Sequence, residues 1–320
     1  MSALAPCEYK TGKVLGQGSY ATVKEAVHIK TGHRYAVKVI SKKLMRGREH
    51  MILNEIEILK KVSKGHPHIV TLHDYFETPN SLYLVQTLCT GGELFDRICE
   101  RGSFFEEDAA QIVRTVVDAV AYLHQQNIVH RDIKPENIML RSRDSLSDLV
   151  IADFGLSKIL DQDKFDGLMT TCGTVSYMAP EVIKKSGHGK AVDLWSIGVL
   201  AYFLLCGYTP FDASNSAEEI QNILGGKYKF EPIEFWRDIS EPAKNFIRQT
   251  LIVDRTQRLT ARDALQHPWL RPKNDDVVLS PETPNKDLLP NVRERFNALT
   301  MFRKAVDVVK AVHLLQAHPA

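Results

Sequence analysis

The chain has no cysteine framework. Its five cysteines (Cys7, Cys89, Cys99, Cys172 and Cys206) are odd in number and show no C-x-x-C spacing. A disulfide scaffold or a zinc site is therefore not expected, and the thiols read as reduced, in a cytoplasmic or nuclear compartment. Long apolar runs are also missing: the longest, Trp195 to Cys206, falls short of the ~20 residues that a membrane helix needs and reads as a buried core helix. The first residues carry neither the basic region nor the apolar stretch of a secretory leader. Neither sign of charge dominates, since 41 Lys and Arg oppose 39 Asp and Glu for a net +2. That balance makes no case for a nucleic acid or an anionic membrane as partner. No internal repeat or low-complexity tract is present. The length of 320 residues, with 44% hydrophobic and 25% charged residues, suits a globular chain of two lobes.

What is present is concentrated chemistry. His130-Arg131-Asp132-Ile133-Lys134-Pro135-Glu136-Asn137 is followed by Asp153-Phe154-Gly155. Magnesium takes oxygen ligands, commonly one or two carboxylates plus phosphates; Asp153 and Asn137 can supply such oxygens. Asp132 can then orient a hydroxyl nucleophile, and Lys134 can neutralise charge on a phosphoryl group in transfer. Asp-Phe-Gly alone could be an ordinary turn, but the two strings together resemble the catalytic loop and metal-binding turn of eukaryotic protein kinases. The likeness runs from about Tyr9 to Arg271. It implies an α+β, bilobal fold: a small antiparallel-sheet lobe with one main helix, then a larger, mostly helical lobe. The expected divisions are 1–90 for the small lobe and hinge, 91–271 for the large lobe and 272–320 for a linker and C-terminal helix. ATP and Mg2+ are the implied cofactors.

Residues 9–40 read as short strands between glycine turns. Gly16-Gln17-Gly18-Ser19-Tyr20-Ala21-Thr22-Val23 has the form G-x-G-x-x-G-x-V, with Ala21 at the third glycine. Glycines there let a backbone approach phosphates without a Cβ in the way. A dinucleotide site would want a helix next, whereas Val23 to Val27 reads as a returning strand. Helical periodicity begins near Arg48, with Ile52, Ile56 and Leu59 on one face. By itself Lys38 could be a solvated strand lysine, and Glu55 a solvated helix charge. By resemblance Lys38 holds the α- and β-phosphates and pairs with Glu55, so the catalytic set is Asp132, Lys134, Lys38 and Glu55. The implied nucleotide contacts are Leu15, Gly16, Gly18, Val23, Ala36, Lys38, Thr87, Cys89 and Met139, with Gln86 in the gatekeeper position. Asn137 and Asp153 are the implied metal ligands.

The strings around Lys134 and around Gly173-Thr174-Val175-Ser176-Tyr177 are similar to those of serine/threonine kinases. Glu93 and Thr174 are the implied substrate contacts, Glu93 reading an arginine three residues before the target hydroxyl or, alternatively, bonding ribose. Phe203 stands where kinases that prefer a second arginine have glutamate, which suggests an apolar contact instead. Asp193 would anchor the catalytic-loop backbone through Arg131 and backbone amides, and Glu181 would pair with Arg258. Gly91-Gly92-Glu93-Leu94-Phe95-Asp96-Arg97-Ile98, Asp-Phe-Gly-Leu-Ser-Lys (153–158), Cys172-Gly173-Thr174 and His267-Pro268-Trp269-Leu270 look like calcium/calmodulin-dependent protein kinases of types I and IV, the fungal members in particular. That likeness implies protein substrates and an upstream activating kinase that phosphorylates Thr170, with Thr171 the neighbouring candidate.

Residues 271–290 hold four prolines and read as an extended spacer. From Asn291 to His318 glycine and proline are absent, and Leu299, Phe302, Val306 and Val309 recur at helical spacing among basic residues. A basic amphipathic helix is the pattern that calmodulin targets share. Behind such a catalytic region it implies calcium–calmodulin as partner, with Phe302, Val306 and Leu315 as anchors; a helix that only packs on the large lobe is the plain alternative. Ser280-Pro281 and Thr283-Pro284 leave open a stress-responsive kinase under proline-directed control. A pseudokinase acting as an interaction module is the alternative outside catalysis, although Lys38, Glu55, Asp132, Asn137 and Asp153 are all in place.

Overall fold

The structure, a computed structural model, describes residues 8–18, 21–47, 49–154, 175–187, 189–271 and 286–293, and the backbone of 158–159. The tip of the glycine loop, Gly155, Thr170, Thr174, Phe302, Val306 and Leu315 lie outside the described residues. The small lobe is built of β1 (Tyr9–Gln17), β2 (Ala21–His28), β3 (Arg34–Ser41), α1 (Glu49–Val62), β4 (Leu72–Glu77) and β5 (Ser81–Thr87). Its five strands form an antiparallel sheet in the order β1-β2-β3-β5-β4. Successive strands joined by short turns can pair only in this way. α1 buries Ile52, Ile56 and Leu59 as their spacing predicts, and it buries Glu55 with them.

The large lobe follows with β6 (Gly92–Glu93), α2 (Leu94–Glu100), α3 (Glu106–Gln125), β7 (Ile128–Val129), β8 (Ile138–Leu140), β9 (Leu149–Ile151) and β10 (Lys158–Ile159). After these come α4 (Pro180–Ile183), α5 (Ala191–Cys206), α6 (Ser216–Gly225), α7 (Ile233–Trp236), α8 (Glu241–Thr250) and α9 (Ala261–Ala264). Apolar on all sides, α5 buries every residue from Val192 to Cys206 and is the helix about which the lobe packs. It stops at Gly207, whose φ of 86° closes the helix with a left-handed turn that a side chain would strain. Among the described residues no helix is long and apolar enough to cross a membrane.

One feature ties the lobes together, and another shapes the start of the large lobe. Val70 N donates to Ile151 O, and Ile151 N donates to His68 O, so the segment after α1 is stitched to β9 just before Asp153. Gly91 is pressed so close to the β8 turn that a Cβ there would lie 2.2 Å from Ser142 O. Only glycine fits, and its fit sets where α2 begins.

The spacer reading needs one correction. Residues 286–290 are not free of the lobe: Leu288, Leu289 and Val292 are buried, and a helical turn starts at residue 289. Composition showed the prolines. It did not show that Asp287 accepts from Phe104 N and Leu289 N, which fastens the chain at this point.

Candidate active site

The catalytic loop is shaped from below by a buried carboxylate. Asp193, in the first turn of α5, is fully buried, and a buried charge is tolerable only with donors around it. It receives three: His130 N (3.0 Å), Arg131 N (2.7 Å) and His124 Nε2 (2.8 Å). Burial works to raise its pKa, but these donors and the two histidines prevail and hold it below the usual aspartate value. The two backbone amides match the sequence expectation. The third donor is the His124 ring, which the sequence reading did not name; nothing in the helical pattern of α3 marks His124 for that task.

This clamp sustains an unusual backbone. Arg131 and Asp153 have φ of 70° and 58°, two of the four non-glycine residues with positive φ among those described. Such conformations cost on the order of 1–3 kcal/mol each and persist where surroundings impose them. His130 stands between the two. Its Nδ1 accepts from Asp132 N (3.3 Å), and its Nε2 bonds Ala152 O (3.2 Å). One ring nitrogen accepting and the other donating requires the neutral imidazole, and burial holds the His130 pKa below the ordinary histidine value. The ring also meets Phe154 edge-on at 4.9 Å. With Phe154 fully buried, Asp153 is left half exposed at the mouth of the site.

Asp132 is 8% exposed, and its carboxylate is bracketed by Lys134 Nζ (2.8 Å) and Asn137 Nδ2 (2.8 Å). Asn137 Nδ2 also donates to Asp132 O. The asparagine's nitrogen is thus engaged, and its carbonyl oxygen is the atom suited to a metal. Across the cleft, Lys38 Nζ lies 2.7 Å from Glu55 and 2.9 Å from Asp153. Burial pulls the Lys38 pKa down, yet the two carboxylates outweigh it and hold the ammonium above its ordinary value. The same burial raises the Glu55 pKa above the ordinary glutamate value, and Lys38 pulls against it.

The residues fit a magnesium nucleotide. Asn137 and Asp153 offer few protein oxygens, and magnesium is commonly held by one or two carboxylates plus phosphates. At Gly16 an added Cβ would meet nothing within 4 Å, and its φ is not among the positive ones. The backbone there is open to the close approach of a bound group. Val23, Ala36, Met139 and Thr87 are half-buried and Leu15 is exposed, so apolar surface between the lobes remains open to a base. Burial pushes the Cys89 thiol up to about 11, which leaves it protonated.

Glu93 lies at the start of α2, paired through β6 with Met139 of β8. Glu136, which the sequence reading did not single out, is half-buried in the same loop, with one carboxylate oxygen shut off from solvent. Phe203 corrects an expectation: it is only 3% exposed and packs on Phe95 at 4.8 Å, so it supports α2 and offers no surface to a substrate. Glu181 and Arg258 do pair, at 2.8 and 3.1 Å, in a buried fork beneath the segment before α5.

Residues 9–270 match the protein kinase domain. The chain is 56% identical over 313 residues to the calcium/calmodulin-dependent protein kinase cmkB of Emericella nidulans, covering 97% of this chain and 76% of that one. It is 54% identical over 308 residues to the calcium/calmodulin-dependent protein kinase type I of Schizosaccharomyces pombe, covering 96% and 89%. Myosin light chain kinase A of Dictyostelium discoideum is 48% identical over 272 residues, covering 85% and 90%. With the loop geometry and these relatives together, the chain belongs to the protein kinase family, as an ATP- and magnesium-using serine/threonine kinase related to the calcium/calmodulin-dependent kinases.

Proposed function

We propose that this kinase phosphorylates serine or threonine in basic protein motifs, and that calcium–calmodulin and phosphorylation of Thr170 switch it on. The observation that carries the chemistry is the bracketed Asp132 carboxylate, with Lys134 and Asn137 both at 2.8 Å. A carboxylate fixed in this way orients the substrate hydroxyl and accepts its proton. Lys134 faces the phosphoryl group in transfer, and Lys38 neutralises phosphate charge on the far side of the cleft. Asn137 and Asp153 would hold magnesium, which when bound supplies charge neutralisation to the phosphates. Little bond-making falls to the protein; its contribution is positioning and electrostatic stabilisation.

Glu93 supports the basic-motif reading, being a carboxylate at the edge of the cleft on a helix start fixed by Gly91. Thr170 stands two residues before Cys172-Gly173-Thr174, and Arg131, next to Asp132 in the catalytic loop, is the cation that its phosphate would meet. Each charge-assisted hydrogen bond of that kind is worth about 1.5–3 kcal/mol, enough to order a loop. The named dependence of the relatives on calmodulin and the basic amphipathic run 291–318 support the calmodulin switch. At rest the tail occludes the site; calmodulin draws it away by Phe302, Val306 and Leu315.

Peptide phosphorylation by the full chain is the test, measured with chelator, with calcium–calmodulin, and after treatment with an activating kinase. A calcium–calmodulin rise that is lost in Phe302→Asp, and a further rise that is lost in Thr170→Ala, are expected. Equal activity with chelator and with calcium–calmodulin would remove the switch. Full activation of Thr170→Ala would pass the site to Thr171.

A further inference from the structure

Helix ends leave carbonyls without intrahelical partners, and those of α2 find theirs far along the chain. Arg293 donates from Nε (3.0 Å) and Nη2 (2.8 Å) to Cys99 O, and from Nη2 to Arg101 O at 2.9 Å. A guanidinium suits this place twice over: its donors form a rigid fork, and its charge meets the negative end of the helix dipole. Arg293 is itself held. Leu288, Leu289 and Val292 are at most 2% exposed. Leu288 N donates to Phe104 O at 2.7 Å, the Asp287 carboxylate accepts from Phe104 N at 2.8 Å, and Lys286 reaches Glu234 O at 2.6 Å and Asp238 at 3.1 Å. At its other end α2 starts at Glu93, which pairs with Met139 next to the cleft. The helix is seven residues long, roughly 10 Å at 1.5 Å per residue. A rod so short moves as one piece.

We infer that Arg293 is a positioning residue for substrate recognition: by capping the carbonyl end of α2 it fixes Glu93 at the place where the substrate's arginine is read. The inference rests on the proposed reading of Glu93 and extends it to the tail. Residues 286–293 are then a permanent part of the catalytic unit, and any release of the tail begins after Arg293. Because the anchor and the recognition carboxylate share one helix, disturbing the first alters selectivity at the second. Phosphoryl transfer itself is untouched, since Asp132, Lys134 and Asn137 are held by one another on a loop that Asp193 clamps at His130 and Arg131.

The experiment uses the full chain with saturating calcium–calmodulin, so that any occlusion by the tail is relieved in every sample. Two peptides are compared that differ only in arginine or alanine three residues before the target serine. Arg293→Ala should lower the arginine-to-alanine ratio of kcat/KM about tenfold, roughly 1.4 kcal/mol, through KM of the arginine peptide. The kcat and KM for the alanine peptide should stay as in the parent. A merely structural role would lower both peptides alike, and that result overturns the inference. Glu93→Gln is the separate control. A ratio that collapses in Glu93→Gln but holds in Arg293→Ala also overturns it. A ratio that holds in Glu93→Gln shows instead that Glu93 does not read the arginine. If Arg293→Ala does not fold, Arg293→Gln keeps the side-chain length without the charged fork and carries the same expectation.

Discussion

Glu55→Gln tests the cleft's central ion pair. Lys38 Nζ lies 2.7 Å from Glu55 and 2.9 Å from Asp153, so one ammonium is shared between a buried carboxylate and a half-exposed one. At 2.7 Å the bare attraction is about 6 kcal/mol for an effective dielectric of 20. Desolvation offsets most of that, and breaking a buried pair costs about 3–5 kcal/mol when it strands the other charge. Here Lys38 is not stranded, because Asp153 remains within reach. The stability loss should therefore sit nearer the value of one charged hydrogen bond, about 1.5–3 kcal/mol. The larger consequence is chemical. Without Glu55 the lysine is drawn wholly to Asp153, the carboxylate proposed to hold magnesium, and it would compete with the metal for that group. Activity against magnesium at fixed saturating ATP should show a rightward shift, and kcat/KM for ATP should fall by roughly ten- to a hundredfold, matching 1.5–3 kcal/mol. The assay pairs magnesium titrations of peptide phosphorylation with thermal melts. A variant with parental magnesium dependence and parental kcat/KM for ATP would refute the claim that Glu55 holds Lys38 in place.

Arg258→Lys should be far from conservative: the buried fork to Glu181 loses its second bond and its planarity, and a loss approaching ~3 kcal/mol would show as a melting point several degrees lower. Gly91→Ala would place a methyl 2.2 Å from Ser142 O and 2.6 Å from Leu140 Cβ, so it should lower stability and displace α2; a parental melting point and parental peptide selectivity would show that the strand gives way at no cost. For pH, His66, His73, His130 and His267 are all held below the ordinary histidine value, with burial the largest cause. Their unfolded forms take up protons first, so stability is full above about pH 6.5 and declines as pH falls below it. The depressed Asp193 adds a second loss further down, below the ordinary aspartate value near 4. Melting points between pH 8 and pH 5 that never fall on acidification would contradict the burial of neutral histidines.

Much of the fold is legible in the sequence because its elements rest on local pattern. α5 spans Ala191–Cys206 and contains the apolar run Trp195–Cys206 that reads as a buried core helix, α1 buries the face that its periodicity marks, and the small lobe's strands fall between their glycine turns. Such signals are written within a dozen residues. Harder to read is what depends on partners far apart in the chain. Asp193 calls for donors, but that His124 is one of them follows from the crossing of α3 and α5. Phe203 aligns with a substrate-facing position by resemblance, yet Phe95 covers it at 4.8 Å, and only packing decides which way such a side chain is used.

The tail shows the same division most sharply. By composition, residues 271–290 are a spacer: prolines and polar residues, with too few apolar residues for periodicity to register. Yet Lys286, Asp287, Leu288 and Arg293 each bond atoms of the large lobe, two of them backbone atoms of Phe104, while Leu289 and Val292 are buried. A backbone atom carries no residue identity, so no motif could have signalled that docking. The catalytic loop is the opposite case, since Asp132, Lys134 and Asn137 bond one another within six residues and nearly the whole geometry is implicit in their spacing. Chemistry that closes on itself locally can be read from sequence. The docking of the tail runs through carbonyls at the end of α2 and the backbone of Phe104 after it, and it emerges only when those atoms are placed.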